Sequence, residues 1–489
     1  MKNRVFHRFL SALCALVLSL TLLPAARAAG APAQTSNINK QDYTSYAAST
    51  VKSYLYANSS GGLTRVEYDG RYVIVEDYDS SFQMTNSRTV PTELSLWGGF
   101  YAGSDANYLI FGQNNPQQSN STEVIRVVKY SKDWQRLAQT SVKGANTIAP
   151  FDAGSLRCAE YGGYLYIRTS HLMYTSDDGL NHQSNLTLQI KESDMTLADS
   201  YYDVRCVDYG YLSHSFNQFI LIDQDRNIVA LDQSDSDSLT MGANYRSQSV
   251  AARGAMLVRY DAHKAGESQF TDRSQKWCSF SNVQTFAGYS GQNHTGASLG
   301  GFAETRTGYV SAYNYDGLAS TGARDVYLGY TSKSGLNSWA RKVSTVSGTT
   351  APVLASDGLT GGYILWNGKD GSRINDTLYY ASYSGDGSVG MVQTAKASLS
   401  DCQPIPYNGK LVWYVTNNSA PVFYGVDRTG VQALNGGSTT PTNPTNPTNP
   451  TTPTNPTNPT TPTNPTTPTN PTNPTRPAPV FRQLLRRHG

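Results

Sequence analysis

This sequence predicts an all-β fold, a single β-propeller of repeated three- to four-stranded antiparallel blades, with a disordered Pro/Thr/Asn-rich tract after it. Three observations point there. Charged residues are only 15%, against roughly 25% in soluble proteins, too few to solvate many surface helices. Tyrosine (33) and glycine (42) fill the gap, and both suit strands joined by tight turns. Finally, the chain resembles itself at a period of about fifty residues, the length of one propeller blade.

Three pairs of segments carry that period. Arg157-Cys158-Ala159-Glu160-Tyr161-Gly162 returns as Arg205-Cys206-Val207-Asp208-Tyr209-Gly210. Tyr174-Thr175-Ser176 with Gly179-Leu180-Asn181 returns as Tyr330-Thr331-Ser332 with Gly335-Leu336-Asn337, and Gly98-Gly99-Phe100 returns as Gly300-Gly301-Phe302. The last unit reads as a meander: Pro404–Tyr407, an Asn408-Gly409 turn, Lys410–Thr416, a turn at Asn417-Asn418, then Pro421–Val426. Asn-Gly between apolar runs marks a hairpin, and Asp69-Gly70 does the same near the start. First hairpins are expected near residues 68, 105, 161, 209, 305, 358 and 407, which makes seven blades. The wide gap after 209 holds either an enlarged unit or an eighth around Met256–Asp261. Val51–Tyr56 is expected to close the ring by pairing with the last blade.

The ends carry no fold. Lys2, Arg4 and Arg8 precede the apolar run Phe9–Leu23, and Ala26-Arg27-Ala28 supplies a small-x-small cleavage site, so residues 1–28 read as a secretory signal cut after Ala28. The run is shorter than the roughly 20 residues that span a bilayer. Residues 29–50 lead into a propeller over 51–436, and no later segment is apolar enough for a membrane span. Residues 437–477 read as an extended linker in which prolines recur every third residue from Pro441 to Pro477, in Thr-Asn-Pro and Thr-Thr-Pro units, a polyproline II spacer that reaches roughly 110 Å. The tail 478–489 is basic. It reads as an out-of-frame end left where slippage in repetitive coding DNA removed an anchoring domain, or as a natural short basic tail that adheres to anionic wall polymers. Export leaves Cys158, Cys206, Cys278 and Cys402, whose wide spacing fits free thiols better than a disulfide scaffold or a metal knuckle.

Leu96-Trp97-Gly98-Gly99-Phe100-Tyr101, Glu123–Tyr130, Pro150-Phe151-Asp152-Ala153-Gly154-Ser155-Leu156 and His214-Ser215-Phe216-Asn217-Gln218-Phe219 carry a resemblance, joined by Tyr363–Gly368 and Leu399–Cys402. Over most of residues 50–435 the chain resembles exported, propeller-like surface proteins of Gram-positive gut bacteria. The resemblance implies a cell-surface or secreted location and a propeller architecture, and no activity. Such proteins often carry a proline-rich linker and a wall-binding module; the linker is matched here and the module is not.

The formal charge of +3 comes from the ends: Lys2, Arg4, Arg8, Arg27, Arg476, Arg482, Arg486 and Arg487. Without these the acidic residues are in excess, the opposite of a nucleic-acid footprint. Thr175-x-Asp177-x-Gly179-x-x-His182 partly resembles the Asp-box turn of sialidase propellers, but that turn is structural, and Ser87-Arg88-Thr89-Val90-Pro91 is a poor match to the sialidase arginine motif. Glycoside hydrolysis needs two carboxylates roughly 5 to 10 Å apart; Glu67, Glu160 and Asp208 recur in several units and read as turn-flanking. His171, His182 and His214 lie in neighbouring units without metal-site spacing, so neither metal nor cofactor is expected. A binding surface fits better. The loops joining second to third strands share a rim, and Asn and Tyr there suit sugar hydroxyls and sugar faces. The candidate ligand residues are Asn114, Asn115, Tyr315, Asp316, Arg324, Asn367, Arg373 and Asn417. The expectation is a monomer, secreted or wall-associated, that binds an extracellular glycan or surface protein without catalysis. A polysaccharide-active enzyme with a site in the central funnel is the runner-up, and a structural surface protein the third reading.

Overall fold

Seven four-stranded antiparallel meanders follow one another along the chain. The computed structural model describes residues 25–27, 30–38, 50–202, 207–235, 253–269, 278–289, 291–317 and 323–435. Most of the signal segment, Cys206, the Thr/Asn/Pro tract and the basic tail lie outside the described residues. The inner strands of blades 1 to 7 are Ser53–Ala57, Leu96–Ala102, Leu156–Tyr161, Ser215–Ile222, Ala297–Glu304, Val353–Ser356 and Ile405–Tyr407. In most blades the next two strands are largely buried, as in Asn107–Gly112 of blade 2, whereas the third strand of blade 6, Arg373–Ser384, has exposed positions along its length. The outermost strand is half exposed, as in Met84–Pro91 of blade 1. A blade sandwiched between two others has no free face, so its central strands lose the polar alternation that a one-sided sheet shows.

The apolar core follows the same plan, with one cluster between each pair of neighbouring blades. Val66, Val75, Leu109 and Phe111 join blades 1 and 2, and Tyr166, Ile220, Ile228 and Val258 join blades 3 and 4. Leu55, Leu63, Tyr407 and Val412 close blade 7 onto blade 1. The chain therefore forms a closed ring of seven blades, a β-propeller.

Several sequence expectations change in detail. Ser53–Ala57 is the inner strand of blade 1 and pairs with Leu63–Tyr68 of its own blade, so no strand is exchanged across the ring. The Asp69-Gly70 hairpin is real but joins the second and third strands of blade 1. Val207–Tyr209 is a short 3-10 turn, and the first hairpin of blade 4 lies at Asp223–Arg226, between Ile222 and Asn227. Met256–Asp261 belongs to the third strand of that blade, Gly254–Lys264, which makes blade 4 an enlarged unit.

Of the three internal matches, one joins equivalent positions. Gly98-Gly99-Phe100 and Gly300-Gly301-Phe302 both sit at a bulge in an inner strand. A side chain on Gly98 would strike Phe151 at 2.7 Å. One on Gly301 would strike the backbone of Leu354 at 2.8 Å, so glycine lets the next blade approach. The Tyr-Thr-Ser match instead links a second-to-third-strand turn of blade 3 with a third-to-fourth-strand turn of blade 5. Those turns lie on opposite rims and share only their hairpin chemistry. The Asp-box-like turn of blade 3 is held by Asp178, whose Oδ1 accepts from Ser176 Oγ at 2.6 Å and from the Leu180 amide at 2.9 Å. Ser384-Gly385-Asp386-Gly387-Ser388 in blade 6 repeats that arrangement.

Near the N-terminus Ala25–Arg27 pairs with the outer strand of blade 1, and Thr35–Ser36 pairs with Asn417–Ser419 of blade 7. Among the described residues no helix is long and apolar enough to cross a membrane.

Candidate functional site

Because all seven inner strands face the axis, their side chains build a central channel of about 430 Å³, within the size range of small-molecule sites. Its wall is mostly apolar, with Phe100, Phe219, Leu299, Phe302, Leu354 and Ile405 prominent. Two charged side chains interrupt it. Asp401, in the linker entering blade 7, accepts from Ser53 Oγ and from the Lys52 amide, the latter at 2.7 Å. Burial pushes its carboxyl up to about 6, and the bonds from Ser53 and Lys52 only partly offset this. Arg157, on the inner strand of blade 3, lies over the Phe219 ring at 4.7 Å. Its Nη1 donates to the Leu156 carbonyl at 3.1 Å. Cys158 lines the same wall, and burial pushes its thiol up and keeps it protonated. Cys158 and Cys402 carry free thiols.

On the rim that bears the second-to-third-strand turns, a groove of about 660 Å³ runs between blades 6 and 7. It gathers Asp370, Arg373, Asn375, Asp376 and Asn417 beside Ile38 of the N-terminal segment. Two residues singled out from sequence, Arg373 and Asn417, thus meet in one place, and both are exposed. Asn417 is part of the short strand paired with Thr35–Ser36 rather than of a free turn.

The other candidates are distributed differently. Asn115 and Asn367 are fully buried, and their amides are used up. Asn115 Nδ2 donates to the Ser119 and Thr147 carbonyls and to the Tyr174 hydroxyl. Asn367 Nδ2 donates to the Thr377 and Ala397 carbonyls while its Oδ1 accepts from the Leu399 amide at 2.8 Å. These bonds pin the linker that enters the next blade, and Asn314 and Gln233 do the same in blades 5 and 4. The buried amides are latches between blades, because a linker crossing from one sheet to the next leaves backbone groups that no strand satisfies. Asn114 is exposed beside Asn115. Tyr315 is half-buried against Phe286 and accepts from the Ala287 amide at 2.6 Å. Asp316 and Arg324 are half-buried near it, and the Arg324 carbonyl accepts from the Gly348 amide and Thr349 Oγ1.

The three carboxylates weighed for catalysis do not share a cleft. Glu67 is buried with Arg65. Asp208 is buried in the 3-10 turn. Glu160 accepts from the Ser104 amide beside Glu192, which receives the Tyr108 hydroxyl at 2.7 Å. Burial and then the neighbouring Glu160 raise the Glu192 carboxyl, against the bond from Tyr108. Neither Glu160 nor Glu192 lines the channel or the rim groove. The histidines have local partners too. His171 is buried between Thr147 Oγ1 and Ser184 Oγ, and burial lowers it to about 3. His182 meets Asp178 at 2.9 Å in the exposed turn, and His214 lies 3.7 Å from Asp235. Among the described residues no group of three His, Cys, Asp or Glu could hold a metal ion.

Sequence reasoning missed a third cavity, about 760 Å³ on the opposite rim between blades 1 and 2, around Tyr56, Asp77, Asn86, Arg88 and Lys132. Its polar groups pair with one another: Asp77 Oδ2 accepts from Arg88 Nη2 at 3.0 Å and from Asn86 Nδ2 at 3.1 Å.

No protein-family model matches the chain, and no curated protein sequence matches it. Solved structures similar to it include an uncharacterised protein of Listeria monocytogenes at 8% identity, covering 85% of this chain and 99% of that one, with a TM-score of 0.38. An α-L-arabinofuranosidase of Fusarium graminearum, in complex with an iminosugar inhibitor, matches at 11% identity, 81% and 93% coverage and a TM-score of 0.37. A Penicillium chrysogenum α-L-arabinanase bound to arabinobiose matches at 11%, 83% and 99%, with a TM-score of 0.36. Likenesses of this degree bear on no activity.

Proposed function

We propose that this protein is a non-catalytic binding propeller that holds an extracellular glycan in the rim groove between blades 6 and 7, presented outward by the Thr/Asn/Pro tract after export. The observation that carries the reading is the convergence of Arg373, Asn375, Asp370, Asp376 and Asn417 around one open groove. Guanidinium, amide and carboxylate groups there offer both donors and acceptors, the complement that sugar hydroxyls require. The Arg373 guanidinium has no hydrogen-bond or ion-pair partner among the described residues. The opposite-rim cavity supports this choice by contrast, since its polar groups already satisfy one another. In the channel, a single carboxylate among the described residues, Asp401, lines the wall, whereas glycoside hydrolysis uses two; this favours binding over the enzyme reading.

The test is a glycan panel probed with the full chain, with released sugar assayed in the same wells. Binding without release, weakened at least about tenfold, or about 1.4 kcal/mol, by Arg373→Ala or Asn417→Ala, is the expected result. Sugar release would overturn the reading and direct attention to Asp401 and to the Glu160–Glu192 pair.

A further inference from the structure

Arg157 is placed where an arginine is expensive to leave alone. It lies on the wall of a channel dominated by phenylalanine, leucine and isoleucine side chains. Among the described residues its one hydrogen bond goes to the adjacent Leu156 carbonyl, and its guanidinium carbon lies 4.7 Å from the centre of the Phe219 ring. No described carboxylate forms an ion pair with it. Elsewhere the interior neutralises such groups directly: Arg65, Arg168 and Arg253 all meet buried carboxylates within 3.0 Å. The channel's own carboxylate, Asp401, is held at the blade 7 to blade 1 side by the Lys52 amide and Ser53 hydroxyl. A guanidinium held over an aromatic ring still carries N–H groups that the ring does not satisfy, a fork that suits a carboxylate.

We infer that the central channel is a second binding site, one that takes a small molecule with an apolar body and a carboxylate, the carboxylate paired with Arg157. Phe100, Phe302, Leu299 and Leu354 surround the apolar body, while the Asn217 amide on the same wall is already engaged with the Leu299 carbonyl and Ser155 Oγ. The volume of about 430 Å³ suits a compact aliphatic or aromatic acid and excludes a polymer chain. This site is independent of the glycan groove and stands or falls separately from it.

Matched pairs test it on the full chain: phenylacetate against phenylacetamide, hexanoate against hexanamide, and acetate as an acid without a body, each measured by calorimetric titration. The acids should bind at least about tenfold more tightly than their amides, the ratio expected of a charge-assisted pair, and acetate should not bind. Arg157→Gln should erase the preference, Arg157→Lys should keep part of it, and Arg373→Ala should leave it unchanged. Equal binding of acids and amides, no binding by any acid, or a preference that survives in Arg157→Gln would overturn the inference. Should Arg157→Gln fail to fold, the acid-to-amide ratio of the unaltered protein decides the matter alone.

Discussion

The junction that closes the ring, between blades 7 and 1, and the junction between blades 3 and 4 solve one packing problem in two ways. Blades 3 and 4 are consecutive in the chain, and their apolar cluster is large. One buried ion pair crosses it: Arg168 bonds Asp232 through Nε at 2.7 Å and Nη2 at 2.9 Å. Tyr260, Thr187 and Ser215 satisfy the remaining atoms. Blades 7 and 1 are joined by no linker, and their apolar cluster is smaller. Here Arg65 serves two carboxylates, Glu76 at 2.8 Å and Glu67 at 3.0 Å. The N-terminal segment completes the set: Arg65 donates to the Ala33 carbonyl, the Ala33 amide donates to Glu76, and Tyr414 of blade 7 donates to Glu67. The consecutive junction carries a balanced pair on top of a sufficient core. The closing junction uses an unbalanced polar cluster to fasten a strand of chain across the gap.

That difference can be broken at its strongest point first. Arg65→Met strands two buried carboxylates and should cost about 3–5 kcal/mol in denaturant unfolding, with residues 30–38 becoming open to protease. Arg168→Met should cost a similar amount, but the pairs should part on the second substitution. Arg168→Met with Asp232→Leu should return to within about 2 kcal/mol of the starting stability. Arg65→Met with Glu76→Leu should not, because Glu67 remains unpaired and Ala33 loses both partners. Equal recovery in the two double variants would refute the contrast.

The junctions should also differ in their response to pH. Asp401 bonds blade 1 where the other junction uses neutral groups, the Ser155 amide donating to Gln218 Oε1 at 2.9 Å. With its carboxyl at about 6 in the folded protein and about 3.9 unfolded, the folded state binds the extra proton between those values. Asp401 therefore subtracts stability as pH rises from about 4 to about 6, by about 2–3 kcal/mol. The burial that raises Glu67 acts in the same direction. Asp401→Asn should remove the Asp401 share, read as the difference between the two stability-versus-pH curves. A constant difference across that window would refute the assignment.

The smallest effect sharpens the role of the N-terminal segment. Asn37 donates to Ser53 Oγ at 3.0 Å and accepts from the Thr416 amide at 2.7 Å, the same service that Asn367 performs inside the chain. Asn37→Ala should cost about 1–2 kcal/mol in thermal unfolding, chiefly from the Thr416 amide left unbonded.

Much of the architecture was legible because it is local. Turn chemistry marks hairpins wherever they occur: Asn408 and Gly409 take φ of 47° and 76°, the conformation that Asn-Gly favours. The sparse charge and the fifty-residue period follow from blades covered on both faces. Which rim a turn occupies was not legible, since the same Ser-Asp-Gly chemistry closes hairpins at both ends of a blade, as Asp178 and Asp386 show. Nor could sequence tell Asn367 from Asn417. Both are asparagines near a second-strand end, yet one is sealed under a linker and the other lies open in a groove.

By itself, then, the sequence determined that this chain makes all-β blades, roughly how long each is, and where it turns, because φ preference and hydrogen bonding between neighbours act over a few residues. Only the tertiary structure decided that Ser53–Ala57 opens blade 1, that Arg65 fastens the ring, and that Arg157 faces the channel without a carboxylate. Those outcomes depend on which side of an inner strand meets the axis once seven sheets have closed, a condition that no local stretch of sequence contains.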